Sequence, residues 1–193
     1  IGLLSGYESN SQDSLDSLRK RANLEANMEA ARILRDNGII STGIFMVRPE
    51  FTEEDFRGLY DYIRQLGLAM PLVSIQTPLP GTELFRDRRD ELLTEDFRLF
   101  DLNHCVLPTL LPREEFYRQL VGWESVLDES IRSWFTPARL WRRRDFYKRL
   151  IPVVPSFVKK RIAYRRIHFN PSSYLRDEVG IIREEARMEV AAK

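Results

Sequence analysis

Three extended apolar segments alternate with two amphipathic ones in the first half of the sequence, and this order constrains the fold most strongly. Residues 1–6 and 72–76 are mainly apolar, and residues 39–47 are rich in β-branched and aromatic side chains. Between them, apolar residues recur at helical spacing over 22–37 and 56–66. Strands joined by helical connections of this length pair in parallel, with right-handed crossovers. The sequence therefore predicts an α/β fold with three parallel strands.

The opening segment, from Ile1 to Gly6, is predicted to be a buried strand, and the chain begins with isoleucine rather than methionine. Three strands are too few to close a barrel, so their faces would stay uncovered without further strands. We therefore expect the chain to be a piece of a longer protein that contributes half of an α/β barrel or sheet.

The two predicted helices have clear boundary signals. Asn37-Gly38 ends the first helix, because glycine adopts the left-handed backbone that follows a helix end. Thr52 and Asp55 form a capping box at the start of the second helix, which runs to Gly67. Both helices are predicted to cover the sheet.

The segment after the third strand, residues 77–85, is predicted to be a rigid turn because it contains two prolines and one glycine. Ligands bind where the strands of parallel sheets end, which makes the strand exits the candidate binding positions. Glu8 directly follows the first strand, where a carboxylate is not explained by helix capping. Ser11 and Asp13, further along, are better explained as helix caps.

Beyond the turn, residues 92–100 are predicted to form a short helix capped by Thr94, and residues 101–107 an extended segment. Pro112 then begins a long helix with a stripe of large apolar side chains. Such a stripe is either core or part of a cofactor site, and we favour core because large aromatic residues dominate burial. The stripe consists of Phe116, Leu120, Trp123, Leu127 and Trp134.

Charge changes sign sharply along the chain. Residues 1–136 carry a net charge of −8, residues 137–170 a net charge of +10, and the last 23 residues a net charge of −1. The basic tract, residues 137–170, is either a solvated helix face or a surface for an anionic partner. Of the anionic partners, a lipid surface is favoured over nucleic acid, because apolar residues 150–158 and several aromatic side chains lie within the tract.

Cysteine and histidine are scarce, with Cys105 the single cysteine and His104 and His168 the two histidines. These residues cannot by themselves build a metal or cluster site. Cys105 either faces a pocket or is a buried thiol beside a hydrogen-bonded histidine, and the second interpretation is favoured. No leader or membrane-spanning run is recognisable, so a cytoplasmic location, with peripheral membrane contact through the basic tract, is expected.

Taken in order, the three strand exits resemble successive segments of radical SAM enzymes of the cobalamin-binding class, with hopanoid C-3 methylase-like proteins the most similar group. The matching segments are Gly6-Tyr7-Glu8-Ser9; Gly43-Ile44-Phe45-Met46-Val47 followed by Pro49-Glu50 and Thr52-Glu53-Glu54-Asp55; and Thr77-Pro78-Leu79-Pro80-Gly81-Thr82. The resemblance implies that residues 1–103 are the second half of a partial (β/α)6, TIM-barrel-like domain. An α-helical extension over 104–136 and a basic, aromatic-containing helical tail over 137–193 would follow.

The resemblance also implies a ligand. Glu8 and Ser9 match the position that contacts S-adenosylmethionine after the fourth barrel strand, Arg48 follows the fifth strand, and Gln76 and Thr77 follow the sixth. The 4Fe-4S cluster and cobalamin are expected from an N-terminal part of the same enzyme. This chain lacks the three-cysteine loop that holds the cluster and is therefore expected to be inactive by itself. No catalytic residue and no metal ligand is assigned.

Besides the missing three-cysteine loop, one departure from the family pattern matters, and it lies at the second exit. The family has a glycine followed by Pro-Gly-Glu-Thr, whereas this chain has Arg48-Pro49-Glu50-Phe51-Thr52. Arg48 is therefore a candidate to meet a carboxylate or phosphate. The favoured function is part of a methyltransferase acting on a lipid such as a hopanoid. The alternative is a non-catalytic module, derived from the same barrel, that binds a membrane or a partner.

Overall fold

The computed structural model describes residues 2–8, 23–142 and 171–176. Its strands and α-helices, in chain order, are β1 (Gly2–Glu8), α1 (Leu24–Asp36), β2 (Ile40–Val47), α2 (Glu53–Leu66), β3 (Met70–Ile75), α3 (Glu83–Asp87), α4 (Arg113–Val121), α5 (Trp123–Trp134), α6 (Pro137–Arg142) and α7 (171–176). Short 3-10 turns occupy Arg89–Glu91 and Phe97–Leu99.

The three strands form one parallel sheet in the order β1-β2-β3. Ile44 of β2 aligns with Gly6 of β1 on one side and with Leu72 of β3 on the other. The predicted α/β fold with parallel strands is confirmed. The barrel itself stays a proposal.

One face of the sheet is closed by helices. Along β2 the odd-numbered residues are buried and the even-numbered ones half-buried, so the odd side chains face the helices. Phe45 is fully buried there, stacked on Tyr7 with ring centroids 5.6 Å apart. At Gly43 a β-carbon would lie only 2.3 Å from the Leu68 side chain, so glycine is required for this close packing.

Helix α2 begins and ends as its sequence predicts. The Asp55 carboxylate accepts a hydrogen bond from the Thr52 backbone N–H at 2.8 Å, and the Thr52 hydroxyl accepts one from the Asp55 N–H. Phe51, just before the cap, packs edge-to-face on Phe56 with centroids 5.5 Å apart, which is the geometry of a hydrophobic staple. Gly67 ends the helix with φ of 60°.

The prediction that the first strand is buried was wrong for most of β1. Leu3 is 47% exposed and Leu4 is 62% exposed, whereas Tyr7 is buried. The reason is position, because β1 pairs with β2 alone among the described strands and lies at the edge of the sheet. Apolar content identified the strand, but burial requires a neighbour that the sequence pattern does not specify.

Two local predictions after the sheet were also wrong. Residues 92–100 form no continuous helix. The Thr94 hydroxyl accepts from Asp96 N–H, and only the 3-10 turn Phe97–Leu99 follows. Residues 101–107 are a series of bends rather than a strand, with Leu102 at φ of 66°. Aspartate and threonine side chains accept hydrogen bonds from nearby backbone N–H groups here, and these bonds compete with regular structure.

The predicted long helix is interrupted at Gly122, which separates α4 from α5. The predicted apolar stripe is buried throughout, which confirms it as core. Tyr60 of α2 donates a hydrogen bond to the Gln119 carbonyl at 2.7 Å, and the Trp134 indole N–H donates to the Gly67 carbonyl at 2.8 Å. These bonds tie α4 and α5 to α2, beside β3.

Helix α7 also packs on this unit. The Tyr174 ring is buried, stacks on Tyr117 with centroids 4.9 Å apart, and meets the edge of the His104 ring at 5.4 Å. Most of the basic tract, residues 143–170, lies outside the described residues, and the predicted domain boundaries stay predictions. Within the described ranges, no helix is long and apolar enough to cross a membrane.

Candidate ligand-binding site

The ends of the three strands lie side by side at the carboxyl edge of the sheet. Because the strands are parallel and adjacent, the sheet brings Glu8, Arg48, Gln76 and Thr77 to this one edge. The backbone N–H of Gln76 donates to the Val47 carbonyl at 2.8 Å, which joins the second and third exits directly. Ser9, also a predicted site residue, lies outside the described residues.

Glu8 has an unusual backbone. Its φ is 63°, in the left-handed region, and the register with β2 shifts between Gly6 and Glu8, which marks a β-bulge. A non-glycine residue in this region costs about 1–3 kcal/mol, and such residues concentrate at functional sites. Gly6, a glycine inside a strand, was a sequence signal for this bulge.

Arg48 is exposed at the end of β2, and its guanidinium carbon lies 5.9 Å from the centroid of the Phe51 ring. The nearby carboxylate of Glu50 instead pairs with Arg88 at 2.8 Å. Arg48 and Glu50 are therefore not paired with each other, although they lie only two residues apart in the sequence.

Gln76 and Thr77 differ in their availability to a ligand. Gln76 is half-buried, and its side chain follows a backbone fixed to Val47. Thr77 is buried, and its hydroxyl donates to the Ile75 carbonyl at 3.1 Å. The Thr77 oxygen can therefore serve a ligand as a hydrogen-bond acceptor, not as a donor, without breaking this bond.

The turn after Thr77 is a Pro-Gly turn of the kind predicted. The Thr82 N–H donates to the Leu79 carbonyl at 3.1 Å, with Gly81 at φ of 88° between them, as in a type II turn with Pro80 at its second position. The Thr82 hydroxyl then caps α3 by accepting from the Phe85 N–H. This turn gives the third exit a fixed geometry.

A segment that the sequence did not connect with the site also runs along this edge. The Ile75 N–H donates to the Leu102 carbonyl at 2.7 Å, and the Leu110 N–H donates to the Pro49 carbonyl at 3.0 Å. Residues 102–110 thus reach from the end of β3 to the end of β2. No local sequence signal predicts this, because the bonds join residues that are distant in sequence.

Side chains of the same segment hold it in place. The Asp101 carboxylate lies 3.1 Å from His104 Nδ1 and accepts the backbone N–H of His104 at 2.9 Å. Although burial by itself raises the pKa of Asp101, these hydrogen bonds and the His104 charge lower it below its ordinary value. Arg113 donates to the Cys105 carbonyl at 2.6 Å. The segment is therefore anchored by charge-assisted bonds.

Cys105 belongs to this scaffold rather than to the strand exits. It is buried, its sulfur donates to the Leu107 carbonyl at 3.4 Å, and its N–H donates to the Tyr117 hydroxyl at 2.9 Å. The prediction of a buried thiol beside a hydrogen-bonded histidine is confirmed. Over the described part of the chain, no group of three or more histidine, cysteine, aspartate or glutamate residues could hold a metal ion.

Comparison with known proteins finds relatives named as methyltransferases and cyclases, although no family model matches the chain. It is 37% identical over 132 residues to the hopanoid C-3 methylase of Methylococcus capsulatus, and 30% identical over 129 residues to the bacteriochlorophyllide d C-12(1)-methyltransferase of Chlorobaculum tepidum. It is 31% identical over 108 residues to the anaerobic magnesium-protoporphyrin IX monomethyl ester cyclase of Rubrivivax gelatinosus.

These matches cover 67%, 66% and 55% of this chain and 25%, 26% and 19% of the respective relatives. The chain thus spans about a quarter of the length of the curated methyltransferases it matches.

Proposed function

Because this chain is related to a portion of radical SAM methyltransferases and cyclases, we propose that it forms the second half of a partial barrel in a cobalamin-dependent methyltransferase. The observation that carries the proposal is the parallel order β1-β2-β3 with polar exits at one edge. In such sheets the carboxyl edge is where ligands bind. The three exits would form one wall of the site.

The proposed ligand of this wall is S-adenosylmethionine, which supplies radical chemistry when an iron-sulfur cluster reduces it. The residues of this chain do not fit the cluster itself, since the single cysteine, Cys105, is buried and bonded to Leu107 and Tyr117. We therefore assign the cluster and cobalamin to residues outside this sequence. On this proposal the 193-residue chain binds and positions but is inactive alone.

The roles of the exit residues follow from their chemistry. Glu8 would accept hydrogen bonds from hydroxyl or ammonium groups of the cofactor, with the bulge setting its direction. Gln76 would donate or accept through its amide, and Thr77 would accept only. Ser9 completes the set proposed for the cofactor, and Arg48, whose cofactor role the resemblance implies, would face an anionic group at the same edge.

The open face of the sheet supports an apolar substrate. Leu4 and Leu72 are exposed on the face opposite the helices, aligned with Thr42 and Ile44 of β2. In a completed barrel this face would be the interior, and apolar side chains there suit a lipid such as a hopanoid. The basic tract, residues 137–170, would bring the protein to an anionic membrane where such a lipid resides.

Binding of S-adenosylmethionine tests the cofactor role directly. Equilibrium dialysis of the 193-residue chain with the labelled compound should show saturable binding that Glu8→Gln weakens about tenfold, the loss of roughly one charge-assisted hydrogen bond. Glu54→Gln, an exposed residue of the first turn of α2, serves as the matched control. Equal affinity in the Glu8→Gln and Glu54→Gln variants would exclude Glu8 from the site.

The tract requires a separate test, because its contact with membranes is independent of the cofactor. A larger fraction of the chain should co-sediment with phosphatidylglycerol vesicles than with phosphatidylcholine vesicles, and added salt should reduce the difference. Equal binding to both vesicles would remove the membrane from the proposal.

A second candidate is a non-catalytic module that uses the same surfaces for binding. The buried core favours it, because it joins the sheet with α2, α4 and α5 in one continuous cluster within this chain. A cooperative, monomeric melt of the isolated chain, without binding of hydrophobic dyes, would favour this module. Dye binding or self-association through the open sheet face would favour the half barrel.

A further inference from the structure

Arg48 is presented from a turn whose backbone is fixed on every side. The carbonyl before it, of Val47, accepts the Gln76 N–H at 2.8 Å, and its own carbonyl accepts the Phe51 N–H at 3.1 Å. The Pro49 carbonyl accepts the Leu110 N–H at 3.0 Å. A side chain on such a turn loses less conformational freedom when it binds a ligand than one on a loose loop.

The Arg48 guanidinium also has a defined position. It lies over the Phe51 ring, which the edge-to-face contact with Phe56 holds against the start of α2. The nearby carboxylate of Glu50 forms an ion pair with Arg88. No ion pair joins Arg48 to a carboxylate anywhere in the ranges that the structure describes. Within the described residues, the charge of Arg48 and its planar set of donors therefore remain available to an anionic ligand.

Three exposed leucines lie along the same edge of the sheet as Arg48. Leu110, whose N–H is bonded beside Arg48 at Pro49, is 64% exposed. Leu102, bonded to the end of β3, is 43% exposed, and Leu79 in the third exit turn is exposed as well. Exposed leucines on the same edge as an arginine that has no carboxylate partner among the described residues match a ligand with an apolar body and an anionic group.

We propose that Arg48 binds the carboxylate or phosphate group of an amphiphilic substrate whose apolar body contacts Leu110, Leu102 and Leu79. This inference rests on the proposed function in taking the carboxyl edge as the substrate side of the site. It names the class of substrate more narrowly, as an apolar molecule that carries an anionic group. The cofactor carboxylate is the competing partner for Arg48.

Calorimetric titration of the 193-residue chain with three probes tests the proposal, each kept below its micelle concentration. Decanoate and decyl phosphate carry the anionic group, and decanol is the neutral match. Arg48→Gln should weaken both anionic probes about tenfold, as expected for loss of a charge-assisted pair, and leave decanol unchanged. The affinity of Arg48→Lys for the anionic probes should lie between those of wild type and Arg48→Gln, because lysine keeps the charge but lacks the planar set of donors of arginine. Arg132→Gln, an exposed arginine of α5, is the control.

Several results would overturn the proposal. The first is equal affinity of the wild-type chain for decanoate and decanol. The second is an Arg48→Gln variant that binds decanoate and decyl phosphate as tightly as the wild type. The third is an Arg132→Gln variant that loses as much affinity for these two probes as Arg48→Gln does. A loss of S-adenosylmethionine binding in Arg48→Gln, with decanoate binding intact, would reassign Arg48 to the cofactor. Failure of the proposed function would be a different result, in which Glu8→Gln does not change the affinity for S-adenosylmethionine. The affinities for decanoate are measured independently of that result.

Discussion

The two faces of the sheet are completed to different degrees. On the helix side, Phe45 and Val47 have no exposed surface, and the aromatic cluster around Phe56 continues the core into α2 and α4. On the other side, Leu4 of β1 and Leu72 of β3 remain exposed although they belong to the same sheet. The difference shows that the described core lies on one face of the sheet, whereas apolar side chains on the other face stay exposed among the described residues.

The largest contrast between the faces is expected from truncation of single side chains. Phe56→Ala should lower the free energy of unfolding by about 3–5 kcal/mol, because Phe56 is fully buried among aromatic rings. Leu4→Ala on the open face should change it by less than about 0.5 kcal/mol. Urea denaturation of both variants measures the contrast. Similar losses would mean that the open face is covered in solution.

The helix side extends to α7, and its contribution is expected to be smaller. Tyr174→Ala should cost about 2–4 kcal/mol, since the ring is buried against Tyr117 and His104. Arg176→Ala, on the exposed side of α7, should cost less than about 0.5 kcal/mol. If denaturation shows no difference between these variants, α7 does not belong to the core.

The edge segment should respond to pH through Asp101. Its pKa is lower in the folded state than in the unfolded one, so its stabilising effect is present above the unfolded pKa of about 3.9 and disappears as pH falls through the folded value. Asp101→Asn should therefore cost about 0.5–1 kcal/mol near pH 7, a figure reduced for partial exposure, and less near pH 3. Denaturation at both pH values measures this, and a cost that does not depend on pH contradicts it.

The smallest expected effect has the opposite sign and concerns Glu8. Glu8→Gly should raise the free energy of unfolding by up to about 1 kcal/mol, because glycine adopts the left-handed backbone without strain. The same variant should bind S-adenosylmethionine more weakly. Glu8→Ala, the control, should lose binding without gaining stability. A loss of stability in Glu8→Gly would show that the bulge is not strained.

Local signals predicted local structure well. The capping box at Thr52, the left-handed glycine at Gly67 and the Pro-Gly turn before Thr82 each act within a few residues, so their outcome does not depend on the rest of the fold. The burial of the stripe from Phe116 to Trp134 was also predictable, because helical spacing places these side chains on one face.

Local signals failed where distant residues decide the structure. The exposure of Leu4 depends on β1 lying at the sheet edge. The path of residues 102–110 depends on backbone bonds to Ile75 and Pro49, and no sequence periodicity encodes such bonds. The interruption at Gly122 divides a helix that the apolar pattern alone would continue.

The sequence by itself determined the order of the three strands and of α1 and α2, the caps of these helices and the resemblance to radical SAM enzymes, because these depend on residue identity and short spacing. Only the tertiary structure decided which strand face is covered, that Glu8 lies at a bulge, and that Arg48 is held over Phe51 while Glu50 pairs with Arg88. Most of these features arise from contacts between segments far apart in the chain, whose energies no single segment contains. The Arg48–Phe51 contact spans only three residues, but the turn that carries it is held by backbone bonds from Gln76 and Leu110.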